Sequence, residues 1–222
     1  MTPTKAVKAA SPLKIKLAQL GEWYITDKMM NDLRSPSCFI DDESGNIDIH
    51  IRLRPLIGDT PVYIFNYIET QLLVSDKGYL HELCIRDPKI IGARYLFFPR
   101  HEKNHYYAVL YDLNLKLFLA YDSNHNSCEQ EAYEFAQDMH NQYFSETKFT
   151  FRMVKNHPQQ LNKRMDCLNY SISFCEYSLH MIKIYRTDKI ECYDDKLSQV
   201  DYFNSRINML KRFEEYLGKK KK

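Results

Sequence analysis

The stretch of sequence that decides the fold runs from His105 to Asp122 and reads HYYAVLYDLNLKLFLAYD. Two runs of aliphatic and aromatic residues, Tyr106 to Tyr111 and Lys116 to Tyr121, flank the turn-forming residues Asp-Leu-Asn at 112–114. This pattern predicts an antiparallel hairpin. Pairing through so short a turn places the start of the first strand beside the end of the second. We therefore expect the imidazole of His105 to meet the carboxylate of Asp122, which would fix the tautomer of the ring and stabilise the imidazolium.

The sequence around this hairpin predicts a single α+β domain, in which a small mixed sheet is flanked by helices. Strands are expected where apolar residues run together or alternate with polar ones, and helices where apolar residues recur at helical spacing. The predicted strands are 46–54, 93–98 (closed by Pro99) and 148–154, and the predicted helices are 27–33 (capped by Thr26), 127–143, 168–185 and 196–217. Residues 61–74 are apolar enough for either a strand or a helix.

Length and charge limit the class of protein. The chain has 222 residues, which suits one domain, and a formal charge of +2, which gives no electrostatic case for nucleic-acid binding. No apolar run reaches the length of a membrane span, so no stable membrane insertion is expected. We predict a disordered basic arm over residues 1–12, a monomeric globular domain over 13–218 and a basic tail over 219–222.

The six cysteines indicate a reducing compartment. None forms a CxxC pair and their spacing matches no zinc-binding pattern, so neither a metal nor another cofactor is expected. A secreted disulfide scaffold would be shorter and richer in cysteine. We expect a cytoplasmic protein, and the sequence leaves open the nucleus and non-classical export into a host cell.

Cys167 stands at the predicted N-terminus of the buried helix. The helix dipole and the free backbone N–H groups at that end favour a thiolate, which is the nucleophilic form of cysteine. The same N–H groups can receive a developing oxyanion, and Gln159 or Gln160 in the preceding loop could add a side-chain donor. Together with His105 and Asp122, this position predicts a cysteine nucleophile served by an imidazole and a carboxylate.

Three segments, in the same order along the chain, resemble the Ulp1/SENP-type cysteine proteases of clan CE. The hairpin from His105 to Ser123 resembles the family's His–strand–turn–strand–Asp–Ser segment, and QQLNKRMDC at 159–167 resembles its glutamine–loop–Asp–Cys segment. YITDKMMN at 24–31 resembles its N-terminal Trp-Leu-Asn-Asp-Glu-Ile-Ile-Asn motif. The resemblance implies a papain-like (adenain/Ulp1-like) fold with the nucleophile at the start of a buried helix. Among such proteins, a bacterial effector or a viral enzyme fits the chain best.

The resemblance also implies a role for each candidate catalytic residue. It assigns Cys167 as the nucleophile, His105 as the general base and Asp122 as the group that orients the imidazole. Gln160 is the preferred oxyanion donor. This loop is one residue longer than in the family, so Gln159 is kept as the alternative donor.

Candidate substrate residues follow from the same resemblance. Tyr24 and Tyr106 stand where the family has tryptophans that wall a channel for the diglycine tail of the substrate, and Asp27 belongs to the same N-terminal motif. The implied substrate is ubiquitin or a ubiquitin-like protein such as SUMO or NEDD8, cut at the peptide or isopeptide bond after its C-terminal Gly-Gly. Residues 38–90 have no counterpart in the family pattern, and they are expected either to recognise substrate or to form an ordinary sheet edge.

One departure from the family pattern leaves other functions open. Leu168 follows the nucleophile where the family has glycine, and a side chain there could crowd the oxyanion site. The chain could then be a module that binds a ubiquitin-like protein with weak or no catalysis. A further alternative is an acetyltransferase resembling the YopJ-type enzymes of the same clan, which use the same Cys-His-acid set.

Overall fold

Seven strands are present in the computed structural model, which describes residues 15–144, 148–161, 164–185, 190–194 and 200–220. A small hairpin pairs β1 (Lys16–Leu20) with β2 (Trp23–Thr26). The central sheet contains β3 (Val62–Ile64), β4 (Tyr95–Glu102), β5 (His105–Asp112), β6 (Leu117–Asp122) and β7 (Thr150–Met153), in that spatial order. The two middle pairs are antiparallel and the edge pairs are parallel. The predicted α+β class with a mixed sheet is confirmed.

Helices cover both faces of the central sheet. They are α1 (Asp27–Arg34), α2 (Asp42–Asp48), α3 (Arg54–Ile57), α4 (Tyr67–Ser75), α5 (Tyr79–Arg86), α6 (Glu129–Tyr143), α7 (Cys167–Ile184) and α8 (Ser205–Lys220). Because successive side chains of a strand point to opposite faces of the sheet, β5 and β6 contribute residues to two hydrophobic cores, one on each face. Helix α7 fills one core and α6 closes the other. None of the helices in these ranges combines the length and apolarity that a membrane span requires.

The hairpin predicted between His105 and Asp122 is confirmed, with Tyr107 directly opposite Asp122. A second turn, which the sequence reading did not predict, sets where β5 begins. Lys103 and Asn104 have φ values of 49° and 62°, so both lie in the left-handed region that a two-residue type I′ turn requires. This turn joins β4 to β5 and makes His105 the first residue of β5.

The predicted strand at 46–54 is wrong, because these residues continue α2 through a π-helical segment, Ile49–Leu53, into α3. Residues that alternate strictly between apolar and polar also recur every four positions, and four-residue spacing is typical of one face of a helix. Two polar residues with this spacing, Asp48 and Arg52, form a buried ion pair with 3.7 Å between the charged atoms. The signal that should have decided for a helix is Asp41, whose carboxylate accepts the N–H of Ser44 at 3.0 Å as a helix N-cap.

Other element boundaries also differ from the predictions. Pro99 does not close β4, which continues to Glu102. The backbone groups of Phe97 face β3, where the Phe97 carbonyl accepts from the N–H of Phe65. Pro99, two residues later, faces the same side, but β3 has ended by that level. The N–H that proline lacks therefore breaks no hydrogen bond of the sheet. The ambiguous stretch 61–74 contains both β3 and most of α4. Helix α8 extends into the predicted basic tail, while residues 1–12 and part of the predicted helix start at 196 lie outside the described ranges.

Candidate active site

His105 and Asp122 meet at one end of the β5–β6 hairpin, as predicted. The imidazole Nε2 lies 2.6 Å from the Asp122 Oδ1. His105 precedes Tyr107, the partner of Asp122, by two residues, so the pleat puts both side chains on the same face. Because Nε2 faces the carboxylate, Nδ1 is the ring nitrogen available to another group, and the Cys167 thiol is near enough to raise the pKa of the ring.

The Asp122 carboxylate is held by four donors. Oδ1 accepts from His105 and from the backbone N–H of Asn124 at 2.7 Å, while Oδ2 accepts from the Ser127 hydroxyl at 3.0 Å and the Cys128 N–H at 2.9 Å. Burial alone would raise the pKa of Asp122, but the bonds from His105 and from the backbone lower it by more, so the pKa ends below its usual value. The carboxylate therefore stays ionised at neutral pH.

The protonated form of His105 is favoured at neutral pH. Burial favours the neutral ring, whereas the hydrogen bonds and charges of Asp122 and Cys167 favour the imidazolium. The balance raises the pKa of His105 to about 9. An imidazolium held between a carboxylate and a thiol is the arrangement that an activated cysteine requires.

Cys167 is the first residue of α7, and its side chain is buried. The residues that follow are apolar or small and buried on nearly every side, because α7 lies between the sheet, α2 and α8. The first N–H groups of a helix have no partner within the helix, so they remain at the position of the thiol as possible oxyanion donors. Among the described residues, no side chain caps this end of α7.

The loop that carries the two glutamines is anchored next to the hairpin. The Tyr121 hydroxyl donates to the carbonyl of Pro158 at 2.6 Å, and the N–H of Gln160 donates to the carbonyl of Ser123 at 2.9 Å. His157 is buried, and its Nε2 lies 3.0 Å from the carbonyl oxygen of Ile190. These bonds fix the loop close to the end of β6 where Asp122 lies.

The two glutamines use their amides differently. The Gln159 amide accepts from the N–H of His125 at 2.7 Å and donates to the carbonyls of His157 and Asp122 at 3.1 and 3.4 Å. The Gln160 amide makes no hydrogen bond to any described residue, and its Oε1 is buried without a partner. Gln160 is therefore the residue with a free amide, which favours it as the oxyanion donor. The role itself stays a prediction.

Leu168 points away from solvent, into the core between α7 and α2. It is fully buried, and a Cβ added to Gly45 of α2 would lie 3.0 Å from its Cδ1 and 2.7 Å from Cε2 of the Tyr67 ring. The glycine that the family pattern has next to the nucleophile is absent, but a glycine on the facing helix provides the room. The reason for expecting a crowded oxyanion site is thereby removed.

Replacing Gly45 with alanine should lower the free energy of unfolding by about 1–3 kcal/mol, because the added methyl overpacks this contact. In a double-mutant cycle, Gly45→Ala with Leu168→Ala should lose less stability than the sum of the single changes, because the smaller residue relieves part of the clash. Chemical denaturation measures all three variants. Gly78→Ala is the control, since a Cβ there meets its nearest atom at 3.4 Å. Strict additivity would contradict the proposed packing.

Tyr106 lies in an aromatic cluster beside the site. It is 1% exposed, its ring stacks on His101 at 4.2 Å between centroids and on Phe39 at 5.1 Å, and its hydroxyl donates to Asp42 at 2.7 Å. The more exposed members of the cluster are Phe39 and His101, which the sequence analysis did not single out. The predicted role of Tyr106 in walling a substrate channel stays a prediction.

Tyr24 and Asp27 belong to the β1–β2 hairpin and the start of α1. The ring of Tyr24 is half-buried, and the Lys16 ammonium lies 3.7 Å from its centroid. The Asp27 carboxylate accepts the N–H of Ile15 at 2.9 Å and so ties the chain before β1 to α1. Their predicted roles in substrate binding are not tested by these contacts.

Cys128 is a neighbour of the His105–Asp122 pair that the sequence analysis missed. Its thiol, an imidazole nitrogen of His105 and a carboxylate oxygen of Asp122 all lie within 4.8 Å of one another, the spacing of a potential metal site. Burial raises the pKa of Cys128 to about 11, which keeps the thiol neutral, and the other two groups already bond to each other. Its visible contribution is the backbone N–H that it donates to Asp122.

Comparison with known proteins finds relatives in structure only. No family model and no curated protein matches the sequence. The Ulp1 protease domain in complex with Smt3, the yeast ortholog of SUMO, has a TM-score of 0.67 at 16% identity, and the match covers 94% of this chain and 91% of that chain. The Chaetomium thermophilum Ulp1-like SUMO protease catalytic domain has a TM-score of 0.61 at 12% identity, over 94% and 84% of the two chains.

A bacterial effector has the same fold. XopD of Xanthomonas campestris, in its complex with ubiquitin, has a TM-score of 0.56 at 15% identity, over 93% of this chain and 96% of that chain. The similarity to all three structures extends over most of the chain. The predicted fold is confirmed: this chain has the Ulp1-like fold of the clan CE cysteine proteases.

Proposed function

We propose that this chain is a cysteine protease that cleaves the peptide or isopeptide bond after the C-terminal Gly-Gly of ubiquitin or a ubiquitin-like protein. One observation carries the proposal. The imidazole of His105 bonds to the Asp122 carboxylate and lies next to the Cys167 thiol, at the N-terminus of a buried helix. A thiol in that position is served by a base, an orienting anion and free N–H donors at once.

The proposed reaction proceeds through a thioester. His105 and Cys167 react as an imidazolium–thiolate pair, in which the thiol proton resides on the imidazole, and the thiolate attacks the carbonyl carbon of the terminal glycine, forming a C–S bond while the carbonyl electron pair moves to oxygen. The Cys167 N–H and the Gln160 amide bind this oxyanion. The C–N bond then breaks, and His105 gives its proton to the departing amine. Water, deprotonated by His105, attacks the thioester and releases the glycine carboxylate and the thiol.

The substrate class is supported by the structural neighbours. One of them is bound to Smt3 and another to ubiquitin, so the shared fold accommodates proteins of this class. All six cysteines are free, which supports a reducing setting in the cytoplasm, either of the producing cell or of a host.

Activity-based probes test the proposed function. Ubiquitin, SUMO and NEDD8 that end in an electrophile should label wild-type protein at Cys167, and at least one of them should do so within minutes. Cys167→Ala should abolish labelling. Cys192→Ser, which removes an exposed thiol remote in sequence from the hairpin, should label normally. Wild-type protein that is folded but stays unlabelled by every probe would refute the proposal. Acetyl label retained on Cys167 after incubation with acetyl-CoA would then favour acyl transfer.

The pH profile should show the raised pKa of His105. A group whose pKa is raised to about 9 keeps its proton below that pH and loses it above. The imidazolium that must protonate the leaving amine is then depleted, so kcat/KM should fall on the alkaline side with a midpoint near pH 9 rather than near the ordinary value of about 6.5. Initial rates on a fluorogenic modifier measure the profile, with circular dichroism at each pH as the control for unfolding. A midpoint below pH 7 would contradict this.

A further inference from the structure

Arg206 is a buried guanidinium whose N–H groups all have acceptors. It lies in the first turn of α8 and is 2% exposed. Arginine carries five N–H donors, and each has a partner here. Nε donates to the Asp166 carboxylate at 2.5 Å; Nη1 donates to the carbonyls of Asp32 and Ser35 at 2.9 and 2.5 Å, and Nη2 to those of Cys38 and Met165 at 2.8 and 2.5 Å.

These acceptors belong to two segments that meet beside the nucleophile. Met165 and Asp166 directly precede Cys167, whereas the other acceptors lie at the end of α1 and in the chain that follows it. The N–H of Met165 also donates to the carbonyl of Pro36 at 3.2 Å, so the two segments are in direct contact. The guanidinium therefore fixes the backbone that delivers Cys167 to the start of α7.

The side chain of Asp166 does not cap α7, although Asp166 stands at the N-cap position of that helix. Asp166 is the N-cap residue of α7, and an aspartate there normally accepts the second or third N–H of the helix. In the described structure it accepts none of them. Instead, Oδ1 bonds to Arg206, and Oδ2 lies 2.5 Å from Nε of Arg164.

The position of this carboxylate matters for the proposed reaction. If Asp166 capped α7, its negative charge would lie against the N–H groups of Leu168 and Asn169, next to the place where the oxyanion develops. An anion there would repel the oxyanion and occupy donors that stabilise it. The free helix end described above depends on the carboxylate being held elsewhere.

We propose that Arg206 is a positioning residue that holds the Asp166 carboxylate away from the first turn of α7 and so keeps the N-terminal N–H groups of that helix free for the oxyanion. This inference rests on the proposed hydrolytic function. It gives the last helix of the fold a part in catalysis without contact to the substrate.

The test compares two double variants that differ in their capacity to cap. Arg206→Gln should lower kcat by about 10²–10³-fold, the usual effect of losing oxyanion stabilisation. Asn caps a helix as well as Asp does, whereas Ala does not. Arg206→Gln with Asp166→Asn, which removes the charge but keeps the cap, should therefore recover less than Arg206→Gln with Asp166→Ala, which should recover at least 10-fold. A purely structural role predicts no recovery with alanine, and that result would overturn the proposal.

Two further measurements separate the possible failures. Alkylation of Cys167 by iodoacetamide, followed by peptide mass spectrometry, needs no oxyanion site, so Arg206→Gln should change its rate by only a few-fold. Arg212→Gln, on the same helix and paired with Asp48 at 2.7 Å, is the control for lost stability and should retain kcat. If Arg206→Gln does not fold, Asp166→Ala alone decides: near wild-type kcat supports the proposal, and a loss of 10²-fold or more overturns it.

The proposed function can fail independently of this inference. If no modifier probe labels the wild type, turnover cannot be read, and the amide signals of Leu168 and Asn169 in NMR spectra become the measurement. They should shift when Arg206→Gln frees Asp166 to cap the helix, and return when Asp166→Ala is added. Unchanged signals in both variants would refute the positioning role.

Discussion

Asp122→Asn should lower kcat by about 10⁴-fold, the size of effect seen when the orienting carboxylate of a catalytic triad is replaced by an amide. The carboxylate accepts on both oxygens, from His105 and Asn124 on one and from Ser127 and Cys128 on the other. An amide has only one accepting oxygen. If that oxygen faces the Cys128 N–H, the NH₂ group faces Nε2 of His105 and forces the proton onto Nδ1, where it can no longer accept from the thiol.

Ser127→Ala is the matched control for this prediction. It removes one donor to the same carboxylate but leaves the three others, so kcat should fall by less than 10-fold. Turnover of the modifier that the probes identify gives kcat, and thermal unfolding shows whether the variants remain folded. An Asp122→Asn variant that is folded and within 10-fold of wild type would mean that the carboxylate does not orient the imidazole.

Gln160→Ala should lower kcat by about 10²–10³-fold with little change in stability, because the amide makes no hydrogen bond within the described structure and is free to bind the oxyanion. Gln159→Ala should do the opposite. Its amide bonds to His125 and His157, and losing a buried or half-buried hydrogen bond costs about 0.5–1.5 kcal/mol of stability. Its kcat should fall by less than 10-fold.

The pair of variants decides between the two glutamines. Steady-state kinetics gives kcat, and urea denaturation gives the free energy of unfolding for each variant. If Gln159→Ala showed the larger fall in kcat at an unchanged unfolding free energy, the oxyanion role would pass to Gln159. Equal small effects would mean that backbone N–H groups alone bind the oxyanion.

The features that could be predicted from the sequence are those that depend on residues close together along the chain. The hairpin from His105 to Asp122 follows from two strands and a short turn, and Cys167 follows from the apolar character of the helix that it begins. These features are local, so the pattern of residues specifies them. The stretch 46–54 shows the limit of the same reasoning, since its alternation fits a strand and a helix with four-residue spacing equally well.

What could not be predicted depends on residues distant in sequence. The Leu168 side chain fits into the core because Gly45, on another helix, leaves room for it. The difference between Gln159 and Gln160 arises because the N–H of His125 engages the Gln159 amide. The contacts of Arg206 reach back to Asp32. No periodicity reports such contacts, because they arise only when separate elements pack together.

The bonds of Arg206 also have a consequence for the order of events during synthesis. The chain leaves the ribosome from its N-terminus, and a domain generally folds as a unit. The hairpin, the glutamine loop and Cys167 are all made before α8, whereas Met165 and Asp166 gain their bonds to Arg206 only when that helix is made. A nascent chain that already contains all its candidate catalytic residues would therefore complete this part of the site only after α8 has emerged and docked.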